Sequence, residues 1–279
     1  HAISASMKLC AALRFYACGT YHDVVGDVLS LSETSNWNAV EKVTDSLLRH
    51  LPQFIRWPQT INEVQRTKAG NCRIPGVLGA IDCTHIRIKG PKGNEYPYIN
   101  RHGYHSLNVQ MTCDSHGLIT NVVARWPGGT HDAHIFAMSG IAAYLQQRPA
   151  QGHLVGDSGY ALRPYLMTPF VRPQNGAEER FNTSLQATRV KIEQTFGILK
   201  MRFGGLHDGL RCSVERAIKV VTVCAMLHNF AVMRNDHGGD MNQEQQNQPI
   251  EEANHEEEAA ANHAAGAARR QHLVDQFFN

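Results

Sequence analysis

Two short apolar runs each end in an aspartate, and this pairing limits the folds open to the chain more than any other feature. Val77-Leu78-Gly79-Ala80-Ile81 leads into Asp82, and His153-Leu154-Val155-Gly156 leads into Asp157, just ahead of Ser158-Gly159. Runs this short, bounded by turn formers, read as buried strands, so both acids are expected at strand ends. A third acid, Glu193, falls inside Leu185 to Phe203, where Val190, Phe196, Leu199 and Phe203 recur at helical spacing and Asn182, Thr183 or Ser184 can cap the start. Burying one ionised carboxylate is costly, and burying three together costs more unless a divalent cation neutralises them. Oxygen-only ligands suit Mg2+ or Mn2+. Each acid taken singly also reads as an ordinary solvated group. The joint placement argues for a site that can carry metal ions and cut phosphodiesters.

At 279 residues and 42% hydrophobic content the chain can bury a sizeable core as one large or two smaller domains. A soluble globular protein is expected, because no apolar run approaches the roughly 18 residues of a membrane span and no secretory leader pattern opens the sequence. The seven cysteines include no Cys-x-x-Cys pair, so neither a disulfide framework nor a zinc ribbon is signalled and a reducing compartment fits. The chain opens on His1 rather than Met, which reads as an incomplete start. The net charge of +2 conceals a division: residues 1–235 carry 25 Lys and Arg against 16 Asp and Glu, whereas 236–279 carry 2 against 9. A basic body suits a polyanionic partner such as DNA, although scattered surface cations are common in proteins that bind nothing charged.

Three regions follow from the pattern. Residues 1–70 read as helical: Met7 to Ala17, Tyr21 to Leu29, and a longer helix from Glu33 whose Trp37, Val40, Thr44, Leu47 and Leu51 mark a buried face. Three helices with a short turn between the last two are helix-turn-helix-like, and both a plain packing unit and a DNA reader remain open. Glu33 and Glu41 make the last helix poor material for approaching phosphates. Residues 71–235 alternate strand and helix, an α/β order. Leu107 to Cys113 and Leu118 to Trp126 form a hairpin about the Asp114 to Gly117 turn, Asp132 to Leu145 is helical, and Val214 to Met233 is an apolar core helix in which His228 and Asn229 read as hydrogen-bonded core groups. Residues 236–279 form an acidic, low-complexity tail, expected to be largely disordered to about residue 266, with a short helix over Arg269 to Phe278.

The loop from Arg87 to His105 interleaves Arg87, Lys89, Lys92 and Arg101 with Tyr96, Tyr98 and Tyr104. Such a loop can take phosphates and stack on unpaired bases, or be a solvated loop over packed tyrosines. Lys191 and Lys200, on the Glu193 helix, can likewise line a DNA channel. His85, His131 and His134 match no His-x-x-x-His helix pair, so a zinc site is not favoured.

Six motifs appear in a fixed order: Gly79-Ala-Ile-Asp82-Cys-Thr-His85, Asn100-Arg-His-Gly-Tyr-His-Ser106, Trp126-Pro-Gly-Gly-Thr-His-Asp132, Gly156-Asp157-Ser-Gly-Tyr160, Arg189-Val-Lys-Ile-Glu193-Gln-Thr-Phe196 and Leu227-His-Asn229. Together they resemble the nuclease domain of PIF/Harbinger-type DDE transposases and their domesticated relatives. The resemblance implies a ribonuclease H-like mixed sheet flanked by helices, with the first acid leaving the first strand, the second leaving the fourth and the third on a late helix. It implies Asp82, Asp157 and Glu193 as a catalytic and metal-binding triad, with Asp132 as a fourth metal ligand or simply a helix cap. It also implies a Mg2+ or Mn2+ dependent endonuclease working in the nucleus on DNA by two-metal chemistry, with joining of a freed 3′ end as a further step. A Myb-like DNA-binding partner and a homo-oligomer belong to the same expectation. The alternative is a domesticated DNA-binding or regulatory protein that keeps the fold without cutting.

Overall fold

The computed structural model describes residues 3–18, 29–58, 63, 74–148, 152–236 and 258–278. Most of the expected Tyr21 to Leu29 helix, and with it the middle of a helix-turn-helix, lies outside the described residues. The helices α1 (Ala5–Cys18), α2 (Glu33–Leu48) and the short α3 (Leu51–Phe54) lead to strand β1 (Val77–Arg87). The hairpin strands β2 (Ser106–Cys113) and β3 (Ile119–Pro127) come next, then α4 (Asp132–Ala137), α5 (Gly140–Gln146), β4 (His153–Val155) and β5 (Leu166–Met167). Four helices close the chain: α6 (Gly176–Arg202), α7 (Gly204–Asp208), α8 (Val214–Val232) and α9 (Glu258–Phe277). None of the helices among the described residues is long and apolar enough to cross a membrane.

The five strands lie in the order β3-β2-β1-β4-β5. β1, β2 and β3 are antiparallel neighbours, while β4 pairs parallel with β1 and β5 parallel with β4. This mixed sheet with helices on both faces is the expected ribonuclease H-like arrangement. Two apolar layers flank it. One gathers Val77, Ala80, Ile86, Val109 and Met111 with α1, α2, α6 and α8. The other gathers Leu78, Ile81, Leu154 and Leu166 with Phe136, Ile141 and Leu145 from α4 and α5. The two strand faces therefore have separate covers, as side-chain alternation requires. At Gly79, where β1 shifts register, an added Cβ would stand 2.4 Å from the Cys113 carbonyl oxygen. Only glycine lets β2 approach that closely.

Several expectations are corrected. β1 runs on through Asp82 to Arg87, so this acid sits within a strand rather than at its end; continued pairing to β2 up to Ser106 holds the extension. α6 starts at Gly176, nine residues before Leu185, because Asn175 Oδ1 accepts from Glu178 N at 3.0 Å while Glu178 Oε2 accepts from Gln174 N at 2.7 Å. That reciprocal cap satisfies donors that would otherwise be orphaned at the first turn. Phe181, Leu185, Ile192, Phe196 and Leu199 then form its buried face. Burial of each contributes about 1.5–3 kcal/mol before entropy is counted. The helix expected over Asp132 to Leu145 is two helices, because Ser139 donates to the Phe136 carbonyl at 2.6 Å and caps Ala142 N at 3.3 Å.

Trp37, expected on a buried face, is 42% exposed and lies under the Arg216 guanidinium, 3.6 Å from its ring centre. The acidic tail is also more ordered than composition suggested, since α9 begins at Glu258 and not near Arg269. It docks through buried Leu273, Val274 and Phe278. Arg180 Nε donates to the Phe278 carbonyl at 2.8 Å, and Arg270 Nη1 donates to the carbonyls of Thr168 and Pro169, both at 3.0 Å. Residues 237–257 lie outside the described residues.

Candidate active site

In the parallel register of β1 and β4, Ala80 stands beside Val155. Two residues further along each chain come Asp82 and Asp157, so strand pairing alone carries the two aspartates to the same end of the sheet. β4 has ended by then, and Asp157 follows it in a turn where Gly159 N donates to Asp157 Oδ1 at 3.0 Å. Asp82 Oδ1 accepts from Cys83 N at 2.8 Å. Its other oxygen, Oδ2, accepts from Arg189 Nη2 at 2.9 Å.

Arg189 projects from α6, and the same Nη2 lies 3.4 Å from Oε1 of Glu193, one turn further on. Glu193 is 54% exposed, whereas the Arg189 and Asp82 side chains are 17% and 16% exposed. Asp82 and Glu193 are thus joined through one guanidinium, with Asp157 within its electrostatic reach. Among the described residues, no group of three His, Cys, Asp or Glu side chains stands as placed to hold a metal ion. Glu193 is linked to Asp82 through Arg189.

Burial pushes the Asp82 carboxyl up to about 7, against the pull of Arg189 and with added push from Asp157 and Asp132. Asp157 is raised as well, first by burial and then by Asp132, with Arg189 opposing. Burial would lower Arg189, but Asp82, Asp157 and Glu193 outweigh it and raise it. More negative charge is gathered here than one arginine neutralises. An oxygen-only donor set with excess negative charge fits a hard divalent cation, and Asp82, Asp157 and Glu193 are the residues that could hold one.

Asp132 opens α4, following His131, which caps the helix with no side-chain hydrogen bond. Its Oδ1 accepts from Asn108 Nδ2 at 2.7 Å, and that nitrogen also donates to the Thr130 carbonyl at 2.8 Å. Asn108 pairs with His85 across β1 and β2. Asp132 is therefore tethered on the side of β1 that Cys83 and His85 face, opposite the side of Asp82, within electrostatic reach of both aspartates.

The basic residues divide into two groups. Arg87 is exposed, with its guanidinium 4.4 Å from the Tyr104 ring centre, and Lys89, Lys92 and Arg101 are exposed on the same loop. Arg101 contributes to the electrostatics of Asp157 and of His85. Lys200 is turned inward, its Nζ donating to the His85 carbonyl at 3.1 Å, and burial lowers its pKa. Lys191 lies by the β2–β3 turn, its side chain close to Gly117 and within electrostatic reach of Asp114. The structure does not bring Lys191 to the loop of Arg101. Burial holds His85 down to about 4, with its Nδ1 3.1 Å from Ser106 Oγ. His134 packs edge-on against Trp126.

Sequence reasoning missed Arg189 as a member of the site and Asn108 as the tether of Asp132. For Arg189 a signal was present, since it precedes Glu193 by four residues and so shares its helix face. Asn108 left none, because its partners are 22 and 24 residues away.

Residues 81–229 match the family model described as DDE superfamily endonuclease. The protein named "Putative nuclease HARBI1" from Homo sapiens is 35% identical over 263 residues, covering 92% of this chain and 74% of that protein. The protein of the same name from Xenopus laevis is 34% identical over 241 residues, covering 83% of this chain and 69% of its own. "Protein ALP1-like" from Arabidopsis thaliana is 23% identical over 257 residues, covering 84% and 62%. No solved structure matches. The matched span takes in both strand aspartates and the helix glutamate, on the sheet order that sets them side by side, and the chain belongs to the DDE superfamily endonuclease family as a homologue of the Harbinger transposase-derived nuclease HARBI1.

Proposed function

We propose that this chain is a divalent-metal-dependent endonuclease that hydrolyses DNA phosphodiesters, with Asp82, Asp157 and Glu193 as the acids that hold Mg2+ or Mn2+. The observation that carries the reading is the juxtaposition of Asp82 and Asp157 by parallel strand register, with Glu193 linked to Asp82 through Arg189. When bound, such cations neutralise charge on the attacking and leaving oxygens of an in-line displacement. The protein's own part is to orient the donors. Cys83 N fixes one oxygen of Asp82, Gly159 N fixes one of Asp157, and α6 presents Glu193 from the layer above. Asp132, tethered by Asn108 across β1 from Asp82, adds negative charge within electrostatic reach of the pair and is the proposed fourth ligand, a role in which it leaves Asn108.

Arg87, Lys89, Lys92 and Arg101 form the proposed phosphate-binding surface, on one loop beside the acids; Lys191 and Lys200 are proposed for the flank of the same substrate. Chromosomal DNA as substrate places the protein in the nucleus under this reading. Glu41 and Asp45 of α2 are paired to Arg216 and Lys219 of α8. With that face of α2 committed to packing, reading of a DNA sequence falls to a separate partner, for which a Myb-like protein is proposed, or to a second copy of this chain.

The test is nicking of supercoiled DNA by purified protein with and without Mg2+ or Mn2+, beside Asp157→Ala. Metal-dependent nicking that the variant loses supports the reading. No metal-dependent nicking, or equal nicking by the variant, sinks it. One observation favours the non-cutting alternative: Arg189 already neutralises part of the charge on Asp82. Titration calorimetry with Mn2+ separates the two, because a site closed by its arginine takes up no metal.

A further inference from the structure

Arg189 grips its partners less fully than an arginine can. Arg270 also bonds through one nitrogen and has an unpartnered Nε, but it grips uncharged backbone carbonyls and lays its plane 3.7 Å over Phe170. Arg180 directs both Nε and Nη2 at the Phe278 carbonyl. Arg189 touches both of its carboxylates through one nitrogen, Nη2, and its Nε is buried with no hydrogen-bond partner. A forked, two-nitrogen grip is the strong geometry for arginine on a carboxylate, and it is not used here. Asp82, for its part, does not depend on the arginine for orientation, because Cys83 N holds its other oxygen.

We propose that Arg189 is a latch on the metal-free site: its guanidinium fills the ground between Asp82 and Glu193 that a cation would take, and it must release both before they can share an ion. The proposal rests on reading this cluster as a metal centre. It adds a competitor carried on the same helix as the third acid. One turn of α6 separates the two, so an engaged latch draws Glu193 onto its own helix. Release of Arg189 frees Glu193 to swing toward Asp82 and Asp157 without movement of the backbone. Arg189 is thus a positioning residue, which offsets part of the crowded negative charge until metal arrives.

The experiment compares Mn2+ affinity by titration calorimetry, without DNA, in wild type, Arg189→Met, Arg189→Lys and Arg101→Met, together with melting temperature with and without Mn2+. Arg189→Met is expected to bind Mn2+ roughly tenfold tighter. Its metal-free melting temperature is expected to fall by about 4 °C, and saturating Mn2+ to restore it. Arg189→Lys, which keeps the charge on a shorter stem, is expected to move the same way by less, and serves if the methionine variant fails to fold. Arg101→Met removes a charge that acts on Asp157 from a residue hydrogen-bonded to His102, and is expected to change affinity by under about threefold. Affinity unchanged or weaker in both Arg189 variants overturns the latch, as does an equal gain in Arg101→Met, which would reduce the effect to net charge. Binding by wild type that Asp157→Ala abolishes keeps the metal centre while the latch falls. No binding by wild type or any variant removes both.

Discussion

Two polar clusters hang from the same antiparallel strands and are neutralised in opposite ways. At the β2–β3 turn, Asn229 of α8 accepts from Ile119 N at 2.7 Å and donates to the Ile119 carbonyl at 2.7 Å and the Phe54 carbonyl at 2.8 Å. Its neighbour His228 donates from Nε2 to the Gly117 carbonyl at 3.0 Å. This cluster is uncharged, and it ties α8 and α3 to the hairpin. Beside β1, Asp82, Asp157 and Glu193 gather around a single arginine, with both aspartates raised first by burial and then by neighbouring acids, Asp82 by Asp157 and Asp132 and Asp157 by Asp132. In the first cluster Asn229 is fully paired in the free protein and His228 Nδ1 alone lacks a partner. The second carries more charge than its partners neutralise, as a site waiting for a counter-ion does. Polar groups buried for stability are satisfied in place, and those kept for function need not be.

Removing one acid should break that contrast from the functional side, with the largest effect. Asp82→Asn is expected to lower metal-dependent nicking on the order of a thousandfold, since a cation site is worth several kcal/mol of charge stabilisation. The same change should raise metal-free stability by about 1 kcal/mol, because a crowded, half-buried charge is gone. Nicking rate and melting temperature check the two halves. A variant that melts well below wild type would show the acids to be structural.

Asn229→Leu attacks the satisfied cluster. It leaves the Ile119 amide and carbonyl and the Phe54 carbonyl unpaired in the interior, and about 3–5 kcal/mol of stability should be lost. Chemical denaturation measures this. Mn2+ affinity of the folded fraction should not change, and a change would mean that the two clusters are coupled through the hairpin.

Acidification separates the regions further, because their titrations pull in opposite directions. His85 is held at about 4 against an ordinary value of 6.5, so below 6.5 the unfolded chain takes a proton that the folded chain refuses. Stability from His85 is present above 6.5 and is lost as pH falls toward 4, a term of about 2 kcal/mol after solvent screening. His228 is lowered by burial and acts in the same direction. Asp82, raised to about 7, works the other way: its folded form keeps a proton that the unfolded chain gives up, so its contribution falls as pH rises from about 4 to 7. The two offset in wild type. Asp82→Asn removes the offset and should melt at steadily lower temperature from pH 7 to pH 4, while His85→Asn leaves Asp82 opposed only by His228 and should tilt the curve the other way, toward a higher melting temperature at pH 4 than at pH 7. Parallel curves for all three proteins would refute these assignments.

The parts legible in the sequence were those with a local cause. An apolar run ending in an acid marks a strand, which is why Asp82 and Asp157 could each be assigned to one, although β1 runs on past Asp82 to Arg87 because pairing to β2 continues. The start of α6 was misplaced because Glu178, Glu179, Arg180 and Asn182 hide the Phe181 and Leu185 face in a polar stretch. α9 was undervalued because an Ala-rich segment was read only for its lack of apolar area; alanine is also the best helix former, and Leu273, Val274 and Phe278 suffice to dock it. Arg189 to Asp82 spans 107 residues and leaves no trace in any window of sequence.

The smallest expected effect sharpens the contrast among the basic residues, which sequence alone treats alike. Arg101 lies on the exposed loop beside the acids, and Lys191 lies at the satisfied end of the sheet, close to Gly117 and Asp114. Phosphate contact by Arg101 predicts that Arg101→Ala weakens DNA binding by about 0.5–1 kcal/mol and lowers the slope of log affinity against log salt by roughly one. Lys191→Ala should move both quantities the same way by less, under about 0.3 kcal/mol, because Lys191 is proposed only for the flank of the substrate and lies within electrostatic reach of Asp114. Binding isotherms at several salt concentrations decide the matter. An equal slope change in both variants would place DNA across the hairpin as well as the loop, and the two ends of the sheet would then share one function.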